Sequence, residues 1–150
     1  MIKKIKIIKT LIIIIFSLTF PFSANAQTVE EIIKGRKAMF SENYQNAKRI
    51  SILLKSGKID EAKPLMEKIS KNYTKLLDYF PDNTKEGFKT EALPSIWENK
   101  KEFNDLMKKA SDDMIKLAEA IDTAEDLRAI QKKLMWSNCS ACHSKFRAPH

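Results

Sequence analysis

Five consecutive residues near the carboxyl end could carry chemistry: Cys139, Ser140, Ala141, Cys142 and His143. On a helix, two cysteines three positions apart and the histidine that follows lie on one side. Two thiols at this spacing can each add to a haem vinyl group, and the adjacent imidazole can reach the iron. The motif therefore predicts one haem c, attached covalently through Cys139 and Cys142, with His143 as an iron ligand.

Two other functions use similar residues, and the rest of the chain argues against both. A redox-active pair of cysteines is expected beside a βαβ pattern, and the sequence has no run typical of a strand. A zinc site with four protein ligands would need almost every soft ligand of the chain, which has 2 cysteines and 2 histidines, one of them the terminal His150. We therefore expect the two cysteines to end as thioethers and not as a disulfide.

The composition limits the protein to one domain of the ordinary globular kind. The chain has 150 residues, of which 31% are charged, with only 3 glycines and 5 prolines. This length suits a single hydrophobic core, and so few glycines and prolines exclude collagen-like and low-complexity chains. The sequence shows no cluster of basic residues with interleaved aromatics, so we expect no nucleic acid as a partner.

The amino-terminal 26 residues have the pattern of a secretory signal peptide. Four lysines without an acid precede an apolar run over residues 11–22, and Ala24, Asn25 and Ala26 form a small-residue cleavage site. As a helix this run would rise about 18 Å, short of the roughly 30 Å of a bilayer core. We therefore predict cleavage, a periplasmic domain over residues 27–150 and no integral membrane anchor. Removal of the leader lowers the formal net charge from +8 to +4.

The exported part is predicted to form four helices. Apolar residues recur with a period near 3.6, and Thr28 stands three residues before Glu31, the spacing of a capping box. The four predicted segments begin at Thr28, Asp60, Ser95 and Thr123 and end at Gly57, Pro81, Ile121 and Phe146. Because each apolar stripe must be buried against other helices, the expected fold is all-α, an antiparallel four-helix bundle.

Three stretches resemble the cytochrome c-prime family, the c-type cytochromes built as four-helix bundles. They are the Cys-x-x-Cys-His motif continued as Ser-Lys-Phe-Arg to residue 147, Thr-Glu-Ala-Leu-Pro-Ser-Ile-Trp at 90–97, and Ile-Lys-Gly-Arg-Lys-Ala-Met-Phe at 33–40. The resemblance implies a haem inside one end of the bundle. His143 would lie below the iron, and the first helix would lie above it.

The family has two branches, which differ in the residue above the iron. Met39 matches the methionine that completes a six-coordinate iron suited to electron transfer, whereas Phe40 matches the apolar cover of a five-coordinate iron that binds NO or CO. We expect Met39 to bind the iron and the protein to be an electron carrier for redox proteins that the sequence does not identify. The alternative is a gas-binding protein with Phe40 over the iron.

The resemblance also concerns two arginines, catalysis and assembly. Arg36 and Arg147 match arginines that the family places near the haem, where either could pair with a propionate; the alternative, a solvated side chain at a bundle end, applies to Arg36 more than to Arg147. Peroxidase activity is disfavoured because both histidines lie in the last eight residues and no distal acid or base is evident, so we expect no enzyme. The family often forms homodimers, and the sequence leaves monomer and dimer open.

Overall fold

The computed structural model describes residues 27–149, so the predicted leader over residues 1–26 lies outside the described residues. Six helices follow one another: α1 (Val29–Lys55), α2 (Ile59–Leu76), α3 (Ser95–Glu98), α4 (Lys100–Ala120), α5 (Leu127–Gln131) and α6 (Ser137–Phe146). A π-helical segment, Lys132–Trp136, joins α5 to α6 without a break. The helices α1, α2, α4 and the continuous α5–α6 helix form the predicted four-helix bundle.

Within residues 27–149, every helix is too short or too polar to cross a membrane.

Two short 3-10 turns, Leu77–Tyr79 and Asp82–Thr84, lie in the long connection between α2 and α3. The end of this connection is held by the carboxyl terminus. The Leu93 amide donates to the Phe146 carbonyl at 3.1 Å, and the Ala148 amide donates to the Glu91 carbonyl at 2.8 Å.

Both ends of α1 follow from local sequence. The Thr28 hydroxyl accepts from the Glu31 amide, and the Glu31 carboxylate accepts from the Thr28 amide, which confirms the predicted capping box. At the other end, Gly57 has φ +71, a left-handed conformation that glycine adopts without steric cost. The Lys58 amide then donates to the Leu53 carbonyl at 2.9 Å, which closes the helix in a Schellman motif.

Two predicted helix boundaries were wrong. The third predicted helix is interrupted at Asn99, whose φ −119 and ψ 44 are not helical, so α3 is a single turn and α4 begins again at Lys100. The last helix begins at Leu127 instead of Thr123. Asp126 is the N-cap, since its carboxylate accepts from two amides of the first turn, whereas the Thr123 amide donates back to the Ala120 carbonyl.

The apolar faces close into two clusters, one at each end of the bundle. The first lies among α1, α2, α4 and the π-helical segment, and it includes the fully buried Ile50, Met66 and Leu117. The second, at the end where the long connection meets the carboxyl terminus, contains three phenylalanines in edge-to-face contact and is called the aromatic cluster below. Its buried members are Leu76, Phe80, Ile96, Phe103, Met107 and Phe146.

The first cluster makes a direct prediction about stability. Ile50 has no exposed surface, while Ile52 on the same helix is 64% exposed. Ile50→Ala should lower the free energy of unfolding by about 2–5 kcal/mol because it removes buried methyl groups and leaves a cavity. The matched change Ile52→Ala should alter the free energy of unfolding by no more than about 0.5 kcal/mol. Urea denaturation measures both, and equal losses would contradict this description of the core.

Candidate functional site

A cavity of about 660 Å³ lies between α1, α6 and the aromatic cluster. Its volume falls within the range of cofactor and ligand sites in proteins. Apolar groups make up most of the lining surface, and they come largely from Phe40, Ala47, Tyr73, Phe80, Ile96, Phe103, Met114, Leu134, Met135, Trp136 and Phe146. Such a wall favours a large, flat and mostly apolar molecule.

One wall of this cavity carries the predicted chemistry. Cys139, Cys142 and His143 all line it, because α6 is helical through the motif and brings the three side chains to one side. Both cysteines are free and half-buried. Burial raises the pKa of the Cys139 thiol, and it raises the pKa of the Cys142 thiol to about 11. Both groups are therefore S–H groups at neutral pH.

Tyr73 of α2 lies against the same wall and was part of a predicted apolar stripe without a predicted role in the site. Burial raises the pKa of its phenol, and the neighbouring sulfur atoms of Cys139 and Cys142 raise it further. The Cys139 thiol also points back along its own helix, with Sγ 3.8 Å from the Met135 carbonyl oxygen. Tyr73 thus stays neutral and closes the cavity beside the first cysteine.

The opposite wall is formed by α1, and it separates the two candidate distal residues. Phe40 lines the cavity, with its ring 6.4 Å from that of Phe80. Met39 is one position earlier, which turns its side chain by about 100° around the helix. It packs against the aromatic cluster and is not among the residues that line the cavity. The structure therefore brings Phe40, and not Met39, to the space that the cysteine motif faces.

Arg36 also lines the cavity, and it is 2% exposed. One terminal nitrogen donates to the Tyr79 carbonyl at 3.2 Å and to the Thr84 hydroxyl at 3.0 Å. The other donates to the Thr84 carbonyl at 2.9 Å and to the Thr90 hydroxyl at 2.7 Å. These four bonds tie α1 to the long connection. The sequence left a pairing with a propionate and a solvated side chain open for Arg36; the side chain is buried, and the protein itself takes up these four donors.

The charge of Arg36 is not balanced by a carboxylate among residues 27–149. Burial lowers the pKa of its guanidinium to about 10, and the group lies 4.6 Å above the Phe80 ring. The cavity wall is therefore positively charged here at neutral pH. Arg147, half-buried at another edge of the cavity, donates from Nε to a Glu91 carboxylate oxygen at 3.0 Å. Both arginines would favour an anionic group in the cavity.

Side chains around the π-helical segment fix the position of the motif. A π turn widens the helix, and four successive side chains donate back to carbonyls within the segment. The donors are Ser137, Asn138, Cys139 and Ser140, and their acceptors are the carbonyls of Lys133, Leu134, Met135 and Trp136. The residues just before and within the motif are thereby held to the preceding turn.

Asn138 further joins the motif to α4 through a buried carboxylate. Its Nδ2 donates to Asp113 Oδ2 at 3.1 Å, and its Oδ1 accepts from Lys109 Nζ at 3.1 Å. Lys109 also pairs with Asp113, and Lys116 lies 3.5 Å from the other carboxylate oxygen. Burial alone would raise the pKa of Asp113, but the hydrogen bonds from Lys109 and Asn138 outweigh it and the pKa is lowered.

These residues fit a covalently attached haem. The cavity is large and mainly apolar, two free thiols and an imidazole share one wall, and the buried cation Arg36 lacks an acidic partner within the described part of the chain. A c-type haem has vinyl groups for the thiols, an iron for the imidazole, and propionates for a positive wall. Each feature of the cavity thus has a complementary feature on that group.

The site residues that sequence reasoning missed are Tyr73, Asn138 and Asp113. Asn138 stands next to the first cysteine, which could have drawn attention to it. The link between Asp113 and the motif gave no local signal, because Asn138 lies 25 positions later in the chain.

Comparisons with known proteins agree with this arrangement. A profile of the family described as "Cytochrome C'" matches residues 31–147. Cytochrome c' of Rhodopseudomonas palustris is 34% identical over 130 residues, which is 83% of this chain and 86% of that protein. The solved structure of cytochrome c' from the same organism has a TM-score of 0.69 at 30% identity, and the match covers 82% of this chain and 98% of that one.

A further solved structure, a ferrous variant of cytochrome c prime from Alcaligenes xylosoxidans with bound NO, has a TM-score of 0.70. It covers 83% of this chain and 99% of that chain at 21% identity. At this identity the likeness concerns the fold.

The Asp113 network predicts a pH-dependent contribution to stability. The pKa of Asp113 is lower in the folded protein than in the unfolded chain, where it is about 3.9. Its contribution is therefore present above about pH 4 and is lost as the pH falls through the folded pKa. Asp113→Asn should lower the free energy of unfolding at pH 7 by about 1–3 kcal/mol, because charged hydrogen bonds are lost. The difference between variant and parent should shrink toward pH 3.

The exposed neighbour Asp112 provides the control for this experiment. Asp112→Asn should change the free energy of unfolding by no more than about 0.5 kcal/mol. Urea denaturation at pH 7 and pH 3 measures all three proteins. An Asp113→Asn protein as stable as the parent at pH 7 would show that the network does not stabilise the fold.

Proposed function

The chain belongs to the cytochrome c' family, and on that premise we propose that it is an exported c-type cytochrome that binds a small gas such as NO or CO. It would carry one haem c, bonded to the thiols of Cys139 and Cys142. His143 would be the iron ligand from the protein. The observation that carries the gas-binding proposal is that Phe40, and not Met39, lines the cavity opposite the cysteine wall.

Haem supplies an iron that binds diatomic gases and exchanges single electrons. The cysteine wall fixes the group in the cavity, because α6 presents both thiols one turn apart and Asn138 holds that helix to α4. The apolar walls exclude water from the cavity. Arg36 and Arg147 place positive charge at its edge, where the propionates would be stabilised.

On the opposite wall, Phe40 would restrict the space for a sixth ligand. Its ring packs edge-on to Phe80, which in turn packs edge-on to Phe103 with ring centroids 4.7 Å apart. This aromatic contact limits the movement of Phe40 and places an apolar ring at this point of the α1 wall. A small neutral gas suits such a surface better than an anion or a larger organic ligand.

Met39 was the expected iron ligand, and the structure lends that reading less support than the alternative. The Met39 side chain packs against the aromatic cluster and is not itself among the residues that line the cavity. For Met39 to face the cavity, α1 would have to rotate, and α1 is held by the four hydrogen bonds of Arg36. The related NO-bound protein of Alcaligenes xylosoxidans also favours the gas-binding alternative.

The periplasm is the compartment that we propose for the protein. This location rests on the leader-like pattern over residues 1–26 and on the thioether chemistry of the motif. We also propose that a redox protein in the same compartment exchanges electrons with the haem iron.

Absorption spectra of two variants with haem attached test the role of α1. In Met39→Leu the ferric and ferrous spectra should match those of the parent, with the high-spin bands of a five-coordinate iron and a prompt shift on addition of CO. In Phe40→Ala the wall opens, and CO should associate about tenfold faster, which corresponds to about 1.4 kcal/mol.

Low-spin bands in the parent that become high-spin in Met39→Leu would overturn the gas-binding proposal in favour of the electron carrier. Leu93→Ala, at a half-buried position outside the cavity lining, is the control for a general loosening of the fold. Failure to attach haem in the parent protein would overturn the proposal as a whole.

A further inference from the structure

Two stretches of the chain contain no aspartate or glutamate, and the fold brings them together. One is the second half of α1 with the turn after it, residues 43–59, and the other is the last helix and tail, residues 127–150. The Ser51 hydroxyl donates to the Gln131 side-chain oxygen at 3.0 Å. The Tyr44 and Trp136 rings meet edge to face with centroids 6.5 Å apart. The contact thus joins two segments that lack negative side chains.

Six cations in these two stretches are exposed, and none of them belongs to an ion pair among residues 27–149: Lys48, Arg49, Lys55, Arg128, Lys132 and Lys133. The ten ion pairs of the same region involve other residues. Outside the two stretches, half of the cations of this region pair with a carboxylate, which neutralises part of the positive charge. The charge of the six cations is free to act on an approaching molecule.

Apolar surface accompanies these charges. Tyr44 is 54% exposed and Ile52 is 64% exposed. They are eight positions apart on α1, with Lys48 midway, so all three lie on one side of the helix. The Lys48 ammonium is 5.3 Å from the centre of the Tyr44 ring. An exposed aromatic and an aliphatic side chain among cations is the pattern of a protein interface, in which aromatic residues contribute much of the binding energy.

We propose that this α1–α5 face, comprising Lys48, Lys55, Arg128, Lys132 and Lys133 with Tyr44 and Ile52, docks a partner protein that presents an acidic surface. Tyr44 and Trp136 also line the cavity that Cys139 and Cys142 line, so a partner on this face would lie against the cavity wall. The inference rests on the proposed function only in treating that partner as one that communicates with the haem.

The positive charge of the face favours an acidic partner over a second copy of the chain. A second copy of the chain on a two-fold axis would set the cations of one face against the same cations of the other, and this repulsion disfavours self-association through the face. An acidic partner instead gains attraction over distances near the Debye length of about 8 Å at physiological ionic strength. Its association would therefore weaken as salt is added.

Charge reversal with a matched control tests the face. The probe is a labelled 12-residue peptide of aspartate and glutamate with a central leucine, and fluorescence anisotropy measures its binding to the haem-loaded mature protein at low and physiological salt. The face variant combines Lys48→Glu, Lys132→Glu and Lys133→Glu. The control combines Lys71→Glu, Lys75→Glu and Lys108→Glu, three exposed cations on α2 and α4 that also lack ion pairs in the described chain.

Both triple variants change the net charge equally, so only position distinguishes them. We expect the face variant to weaken peptide binding at least about tenfold and the control variant at most about twofold, the latter by the change in long-range field. Tyr44→Ala, which keeps every charge, should weaken binding about threefold to tenfold. Equal losses in the two triple variants, or unchanged binding in Tyr44→Ala, would overturn the proposal.

Two further measurements separate the other occupants of the face. Sedimentation of the protein alone reports self-association, and flotation with phosphatidylglycerol vesicles reports binding to an anionic lipid surface. Two outcomes would overturn the proposal. One is a dimer that the face variant no longer forms, and the other is vesicle binding without peptide binding that the face variant loses. Absorption spectra of the two triple variants, whose substituted residues all lie outside the cavity lining, should match those of the parent, so that a failure of docking is distinguished from a failure of the proposed haem site.

Discussion

An apolar cavity that must stay open is the constraint on which this structure depends. Helix bundles gain stability by closing apolar faces against one another at the packing density of a crystal. This bundle does so at one end, around Ile50 and Leu117, and at the other end it leaves about 660 Å³ between α1 and α6. Rings of the aromatic cluster line one side of that space, and Met114, Leu134 and Met135 line another part of it. Rings held edge to face can keep a wall in place where aliphatic side chains would move inward.

Two buried charges, on different sides of the cavity, hold its walls. Arg36 binds three segments of the long connection to α1, and Asp113 binds the start of α6 to α4. Each charge costs free energy to bury and is stabilised by several hydrogen bonds. The two groups differ in whether an opposite charge lies beside them. Asp113 has lysines beside it, whereas Arg36 has only neutral oxygens and aromatic rings within the described chain, so the cavity side of α1 is the more electropositive.

The helical bundle was predictable from residue spacing, and so was the grouping of the cysteines with the histidine. Periodicity located α1 closely because its capping box and Gly57 are local signals. It missed the break at Asn99, since the apolar pattern continues across it, and it placed the last helix at Thr123 because two capping residues stand close together there. The choice between Met39 and Phe40 depends on which side of α1 faces the cavity at this turn of the helix. That direction is set by the contacts of Arg36 with residues far along the chain.

Because of the π-helical segment, the side-chain directions of α6 are set independently of those of α5. In an unbroken α-helix, the direction of Gln131 toward α1 would determine the direction of every later residue. One extra residue in a wide turn offsets the later half by about 100°. The half that packs on Ser51 and the half that carries the cysteines can then each have the azimuth that its neighbours require. The π-helical segment thus allows one continuous helix to pack against α1 with its first half and to present the cysteines to the cavity with its second half.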